Sequence, residues 1–137
     1  MIGDSVTTAL LQKALDGTWQ RQRAISKNID NYETPGYKAK KVSFESMLER
    51  EAENLLKASS GSINPAKDVE QIRQKIQSLS FREYENKSTE SRADGNNVDL
   101  DAENIEMAKT QIQYQYLIRS LSDTIARLRY AISEGRK

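Results

Sequence analysis

Met107, Gln111, Tyr114, Ile118, Leu121, Ile125, Leu128 and Ile132 recur at strict four-three spacing until Gly135, the stripe of a long helix that packs on another helix. The other terminus carries a matching stripe of Leu11, Leu15, Thr18, Gln22, Ile25, Ile29 and Tyr32, diluted by Thr18 and Gln22. A chain that leaves along one helix and returns along the other lays the two antiparallel. The expected register sets Leu11 against Ile132, Leu15 against Leu128, Thr18 against Ile125, Gln22 against Leu121, Ile25 against Ile118 and Ile29 against Tyr114. The fold class is therefore mainly α: an antiparallel coiled coil of long N- and C-terminal helices around a polar, partly irregular middle with short helices. Ile105, Ala108, Ile112, Tyr116 and Leu117 on one helix, and Leu10, Ala14 and Trp19 on the other, lie off that seam. A hairpin cannot cover both faces, so neighbours are implied.

Three segments of one structural unit follow: a coiled-coil helix over 1–33, a polar middle over 34–98, and a second coiled-coil helix over 99–137. Pro35 pushes Thr34 out of the α region, and Pro35-Gly36 suits the central positions of a type II turn, with Gly supplying φ > 0. The first helix stops near Asn31. Tyr37 to Phe44 reads as extended chain, and Phe44 to about Lys57 as a charged helix. Ala58-Ser59-Ser60-Gly61-Ser62 reads as a loop. Asn64 caps a third helix with Pro65 at its first position, Asp68 in its first turn, and Val69, Ile72, Ile76 and Leu79 on one face. Phe81 to Asp94 has the composition of a flexible connector. At the last helix Asp101 is the expected N-cap, with Asp99 competing and Leu100 and Ile105 placed for a hydrophobic staple.

Composition removes whole classes of function. The 137 residues include no Cys and no His, which excludes disulfide frameworks, thiolate and imidazole metal sites and Ser-His-Asp triads. A formal charge of +1 gives no net field for nucleic acid or anionic lipid. Apolar runs reach three residues, as in Ala9-Leu10-Leu11, against about 20 for a membrane span. The start, Met1-Ile2-Gly3-Asp4-Ser5, has no basic n-region or apolar h-region, so export by a general secretory signal is not expected.

Few constellations could carry chemistry. Asn97, Asp99 and Asp101 alternate like the opening ligands of a calcium loop, but Ala102 stands where Gly is required and Ala108 where a bidentate Glu is required. A turn plus a helix cap explains the run without metal. Glu49, Glu51, Glu53, Glu83 and Glu85 have no pocket to shift their pKa. Lys38, Lys40 and Lys41 read as a solvated edge, and no Gly-rich phosphate loop occurs. No catalytic residue, cofactor or metal is expected.

What remains is the corner Asn28-Ile29-Asp30-Asn31-Tyr32-Glu33-Thr34-Pro35-Gly36-Tyr37, a helix end, a polar cap and a fixed turn. It resembles the N-I-A-N-x-x-T-P-G-Y signature of the bacterial flagellar rod and hook family, with Asp30 in place of the usual Ala. Asp94-Gly95-Asn96-Asn97-Val98-Asp99-Leu100-Asp101-Ala102-Glu103 is similar to the D-G-N-x-V-D-x-D-x-E that opens the C-terminal helix of a proximal-rod member. The resemblance implies a structural subunit of the flagellar basal body, exported unfolded by the flagellar type III apparatus without a cleaved signal peptide. It would polymerise through its terminal helices in the periplasmic rod to transmit torque. Implied partners are further copies, other rod proteins, the rod-base adaptor and the export gate, with no nucleic acid and no small-molecule substrate. The signature residues expected to serve assembly are Asn28, Ile29, Asn31, Thr34, Pro35, Gly36, Tyr37, Asp94, Gly95, Asn97, Val98 and Asp99. The alternatives are another rod-family member and a soluble coiled-coil adaptor or secretion chaperone.

Overall fold

A computed structural model of the chain describes residues 2–61, 64–87 and 90–135. Its elements in order are α1 (Ile2–Asp30), β1 (Lys40–Val42), α2 (Glu45–Gly61), α3 (Pro65–Ser78), β2 (Glu83–Glu85) and α4 (Leu100–Glu134). It is mainly helical, with long terminal helices as expected. Among the described residues no helix is long and apolar enough to cross a membrane.

Local chemistry sets the helix ends. Asp4 in the first turn and Lys27 in the last complement the dipole of α1. The α3 start follows the sequence reading: Asn64 accepts from the Lys67 N–H, Pro65 leads, and Asp68 lies in the first turn. The loop expected over Ala58 to Ser62 is instead the last turn of α2 as far as Gly61, while Ser62 lies outside the described residues. The N-cap of α4 is Asp99 rather than Asp101, its Oδ1 accepting from the Asp101 and Ala102 N–H groups at 3.0 and 3.1 Å. That moves Leu100 into the first turn and leaves Ile105 exposed, so the expected staple is not made.

The chain divides into two compact units, to each of which α1 and α4 contribute part of their length. The first comprises residues 1–15, 44–80 and 116–137. Its core is Val6, Ala9, Val69 and Ile76, with Leu10, Leu55 and Ile72 packed on it. Full burial of a side chain such as Ile76 stabilises by about 2 kcal/mol, so this core is small. Within it Glu51 is fully buried, its carboxylate 3.1 Å from Lys75 Nζ and accepting from Asn54 Nδ2. Lys13 Nζ donates to the Gln77 carbonyl, tying α1 to the end of α3.

The second unit comprises residues 16–43 and 81–115. The segment read as a connector supplies β2, which pairs antiparallel with β1 (Lys40 opposite Glu85, Val42 opposite Glu83), and a buried Phe81. Within this unit Arg21 Nη1 donates to Gln113 Oε1, and Asn28 bonds Glu103, so α1 and α4 run antiparallel here.

The expected register is not the observed one. Arg21, which that register sets beside Ser122, meets Gln113, more than two turns away. In the first unit Thr7 and Leu11 line one shallow groove with Ser120, Thr124 and Arg127, so Leu11 does not face Ile132.

Candidate functional site

The two signature stretches interlock in the second unit. Tyr37 N–H donates to the Thr34 carbonyl across Pro35-Gly36, and Gly36 takes φ +73°, the position expected of it in the turn. Gly36 N–H then donates to the Asp94 carbonyl at 2.8 Å. Gly95, at φ +83°, lies so close that a Cβ on it would stand 3.4 Å from Gly36 Cα. Both positions favour glycine because each backbone takes the left-handed conformation that L side chains rarely adopt.

Buried asparagine amides hold the crossing. Asn28, fully buried on α1, accepts at Oδ1 from Lys40 N–H (2.8 Å) and Tyr37 OH (3.1 Å), and donates from Nδ2 to the Lys40 carbonyl. It thereby closes the edge of β1 that faces away from β2, helped by Arg21, whose guanidinium donates twice to the Val42 carbonyl. Asn97 Oδ1 accepts from Ala39 N–H at 2.6 Å while Nδ2 donates to the Asn86 carbonyl, so its amide stands as a rung between the two strands. Asn96 donates from Nδ2 to the Asn31 and Thr34 carbonyls, and its Oδ1 accepts from Val98 N–H. Asn31 and Thr34 bond each other through their side chains. Around the rim Arg92 lies over the Tyr32 ring and donates to the Tyr32 carbonyl, and Lys38 donates to Ser91 Oγ and the Gly95 carbonyl.

Asn28, Thr34, Gly36, Tyr37, Asp94, Gly95 and Asn97 are thus brought together. Val98 is buried beside them, Ile29 is half-buried, Pro35 is exposed in the turn, and Asp99 serves the α4 cap. Arg92 and Asn96 are absent from the residues expected to serve assembly, and Lys38, expected on a solvated edge, is instead half-buried and bonded to Ser91 and the Gly95 carbonyl. The signal for Asn96 was its place after a glycine that takes φ > 0, where its amide reaches back to the preceding turn. Within the Asn97-Asp99-Asp101 run the Asn97 and Asp99 side-chain oxygens accept from backbone N–H groups, Asp99 as the helix cap. Among the described residues no cluster of three His, Cys, Asp or Glu could hold a metal ion.

Electrostatics at the corner centre on Glu103. Burial pushes its carboxyl above the ordinary value, opposed by the Asn28 bond and the field of Lys41. Burial also raises the Tyr37 phenol, with Glu83 and Glu103 adding to it, so the hydroxyl stays a donor to Asn28. Because the native state holds the Glu103 proton more tightly than the unfolded chain does, this group favours folding below the unfolded carboxylate pKa. That contribution is lost as pH rises through the raised native value. Glu103→Gln keeps an acceptor for Asn28 and is expected to stabilise the protein at pH 7. In thermal melts the gain should shrink as pH falls into the carboxylate range; an equal gain at all pH values would contradict this account.

The residues expected on the helical seam divide. Ile25 is buried, and Leu11, Leu15, Ile29, Leu121 and Leu128 are half-buried. Tyr114, Ile118, Ile125 and Ile132 are exposed. The buried face of α4 is Glu103, Thr110 and Thr124, flanked by Gln113, Leu117 and Ser120; that of α1 is Val6, Ala9, Ala14, Gly17, Thr18, Ala24, Ile25 and Asn28. Small side chains let helices approach closely, and Thr110 and Thr124 return their hydroxyls to the Glu106 and Ser120 carbonyls of their own helix. Two stripes of large apolar side chains lie outside the buried face of α4: Tyr114, Ile118, Ile125 and Ile132 beside it, and Ile105, Ile112, Tyr116 and Tyr130 towards the back of the helix.

Comparison of the sequence with known proteins finds flagellar relatives. No family model matches the chain. The chain is 31% identical to flagellar basal body rod protein FlgB of Bacillus subtilis (strain 168), over 96% of its own length and 97% of the relative's. It is 29% identical to FlgB of Escherichia coli (strain K12), over 90% and 91%. It is 34% identical to FlgB of Borreliella burgdorferi, over 75% and 78%. At 31% identity over nearly the whole length of both chains in the Bacillus comparison, the chain belongs to the FlgB family of flagellar basal body rod proteins.

Proposed function

We propose that the chain is a structural subunit of the proximal rod, exported by the flagellar type III apparatus and polymerised through its terminal helices in the periplasmic space. It is a mechanical part, not an enzyme, and carries torque through packed helices whose many small contacts resist sliding. Its neighbours are further copies, other rod proteins, the rod-base adaptor and the export gate. The signature residues at the corner hold the two terminal helices in the geometry that assembly needs.

One observation carries this reading: α4 turns a polar and small-residue face inward and leaves two apolar stripes outside. Apolar surface of that extent on a chain of this size calls for neighbours on both sides of the helix. The test is complementation of a strain lacking the gene, with the chain sought in isolated basal bodies. The full chain should be found there and restore swimming, whereas chains lacking residues 1–31 or 102–137 should do neither. Swimming restored by either truncation would overturn the assembly role of the ends.

A further inference from the structure

The polar middle of the chain carries a surface that complements one on α1. Trp19, 54% exposed, Arg23 and Lys27 follow at spacings of four on the outer side of α1, and the Arg23 guanidinium lies 4.8 Å over the Trp19 ring. Shallow grooves of about 490 and 370 Å³ open on either side of this row. On α2, Glu49, Glu53 and Leu56 fall at spacings of four and three on one outward face, with Leu56 68% exposed. The Glu49 and Glu53 carboxylates have no ionic partner among the described residues.

Resting on the rod reading, we propose that this α2 face docks on the Trp19 row of a second copy of the chain. The helices then lie antiparallel, with Leu56 on Trp19, Glu53 at Arg23 and Glu49 beside Lys27; Lys27 already pairs with Glu83 of its own chain at 3.2 Å, so the charge match rests on Arg23 and Glu53. The order of groups matches along both rows: apolar meets apolar at one end and acid meets base along the rest. A ridge of i, i+4 residues entering the grooves beside Trp19 is ordinary helix packing. The two faces differ, so the contact is heterologous and passes from copy to copy instead of closing a twofold dimer. This gives the middle segment a part in assembly separate from the apolar stripes of α4. Trp19 supplies the burial, and the charges set register and direction.

The full-length protein reports on this contact itself, since Trp19 is its only tryptophan. Raising protein concentration should shift Trp19 emission to the blue together with an increase in sedimentation, and added salt should weaken both. Arg23→Glu and Glu53→Arg, both on exposed positions, should each weaken association by on the order of tenfold or more. The double variant should recover it, and so should an equimolar mixture of the two single variants, because each then offers the other a matched face. Single variants that associate like the parent, a double variant that does not recover, or a parent whose Trp19 emission ignores concentration would each overturn the contact. Basal-body incorporation is scored separately. Parent and single variants incorporated equally would remove this contact and leave the rod reading standing, whereas solution rescue without any incorporation of the parent would remove the rod reading alone.

Discussion

Ile112→Asp and Ile125→Asp, made separately, are each expected to leave the monomer folded and to keep it out of the basal body. Ile112 is 69% exposed and Ile125 44%, and they stand in different apolar stripes, Ile125 beside the buried face of α4 and Ile112 towards the back of the helix. Ile112 adds little to the packing of its own chain, so circular dichroism and thermal melts of its variant should match the parent; Ile125 is more than half covered, so its variant should keep the parent's circular dichroism and melt somewhat lower. In the proposed assembly the same positions become buried. Each change then removes about 2 kcal/mol of apolar burial and adds the desolvation of a carboxylate, at every subunit contact. Loss on that scale at repeated contacts should abolish swimming. Ile25→Asp is the control of opposite kind, since Ile25 is buried inside its own unit and its replacement should unfold the chain before assembly is reached. A variant at Ile112 or Ile125 that swims like the parent would show that its stripe meets no neighbour.

The misplaced register and the misplaced faces have one physical source. Large apolar residues at helical spacing were taken as the inward stripe, yet in this chain the inward faces are built from Ala9, Ala14, Gly17, Ala24, Thr110 and Thr124. The observed faces of both helices sit about one residue round from the expected ones, which is enough to trade Ile118 and Ile125 for Leu117 and Thr124. Periodicity reports that a face is apolar and is silent on whether its own chain or a neighbour covers it. Features with local causes were readable: the Asn64-Pro65 start of α3, the end of α1 and the left-handed Gly36. The α4 cap was not, because Asp99 and Asp101 offer the same oxygen two residues apart and the choice is made by the corner that fixes Asn96, Asn97 and Val98. Nor was β2, a Glu-Tyr-Glu strand with no strand-like composition, held by pairing with β1 and by the amide rung of Asn97.

The corner itself is expected to be the most sensitive small region of the chain. Asn96→Ala deletes the donors to the Asn31 and Thr34 carbonyls and the acceptor for Val98 N–H. A buried polar group left unpaired costs about 1–3 kcal/mol. Thr34 is exposed and Asn31 half-buried, whereas Val98 is buried, so a net loss of about 3 kcal/mol is expected, most of it from the Val98 amide. Gly36→Val acts differently. A Cβ at Gly36 would meet nothing within 4 Å, so the cost is backbone strain at φ +73° alone, about 1–3 kcal/mol. Gly36→Asn should be nearly harmless, because asparagine tolerates left-handed geometry. Denaturant titration of the purified variants gives the order directly, and incorporation into isolated basal bodies should follow it: wild type and Gly36→Asn together, then Gly36→Val, then Asn96→Ala. If Gly36→Val instead matched Gly36→Asn in both measurements, the turn would not be a geometric constraint. The value of the signature would then lie in the side chains of Asn28, Asn31 and Tyr37 and not in the direction the turn imposes on the chain.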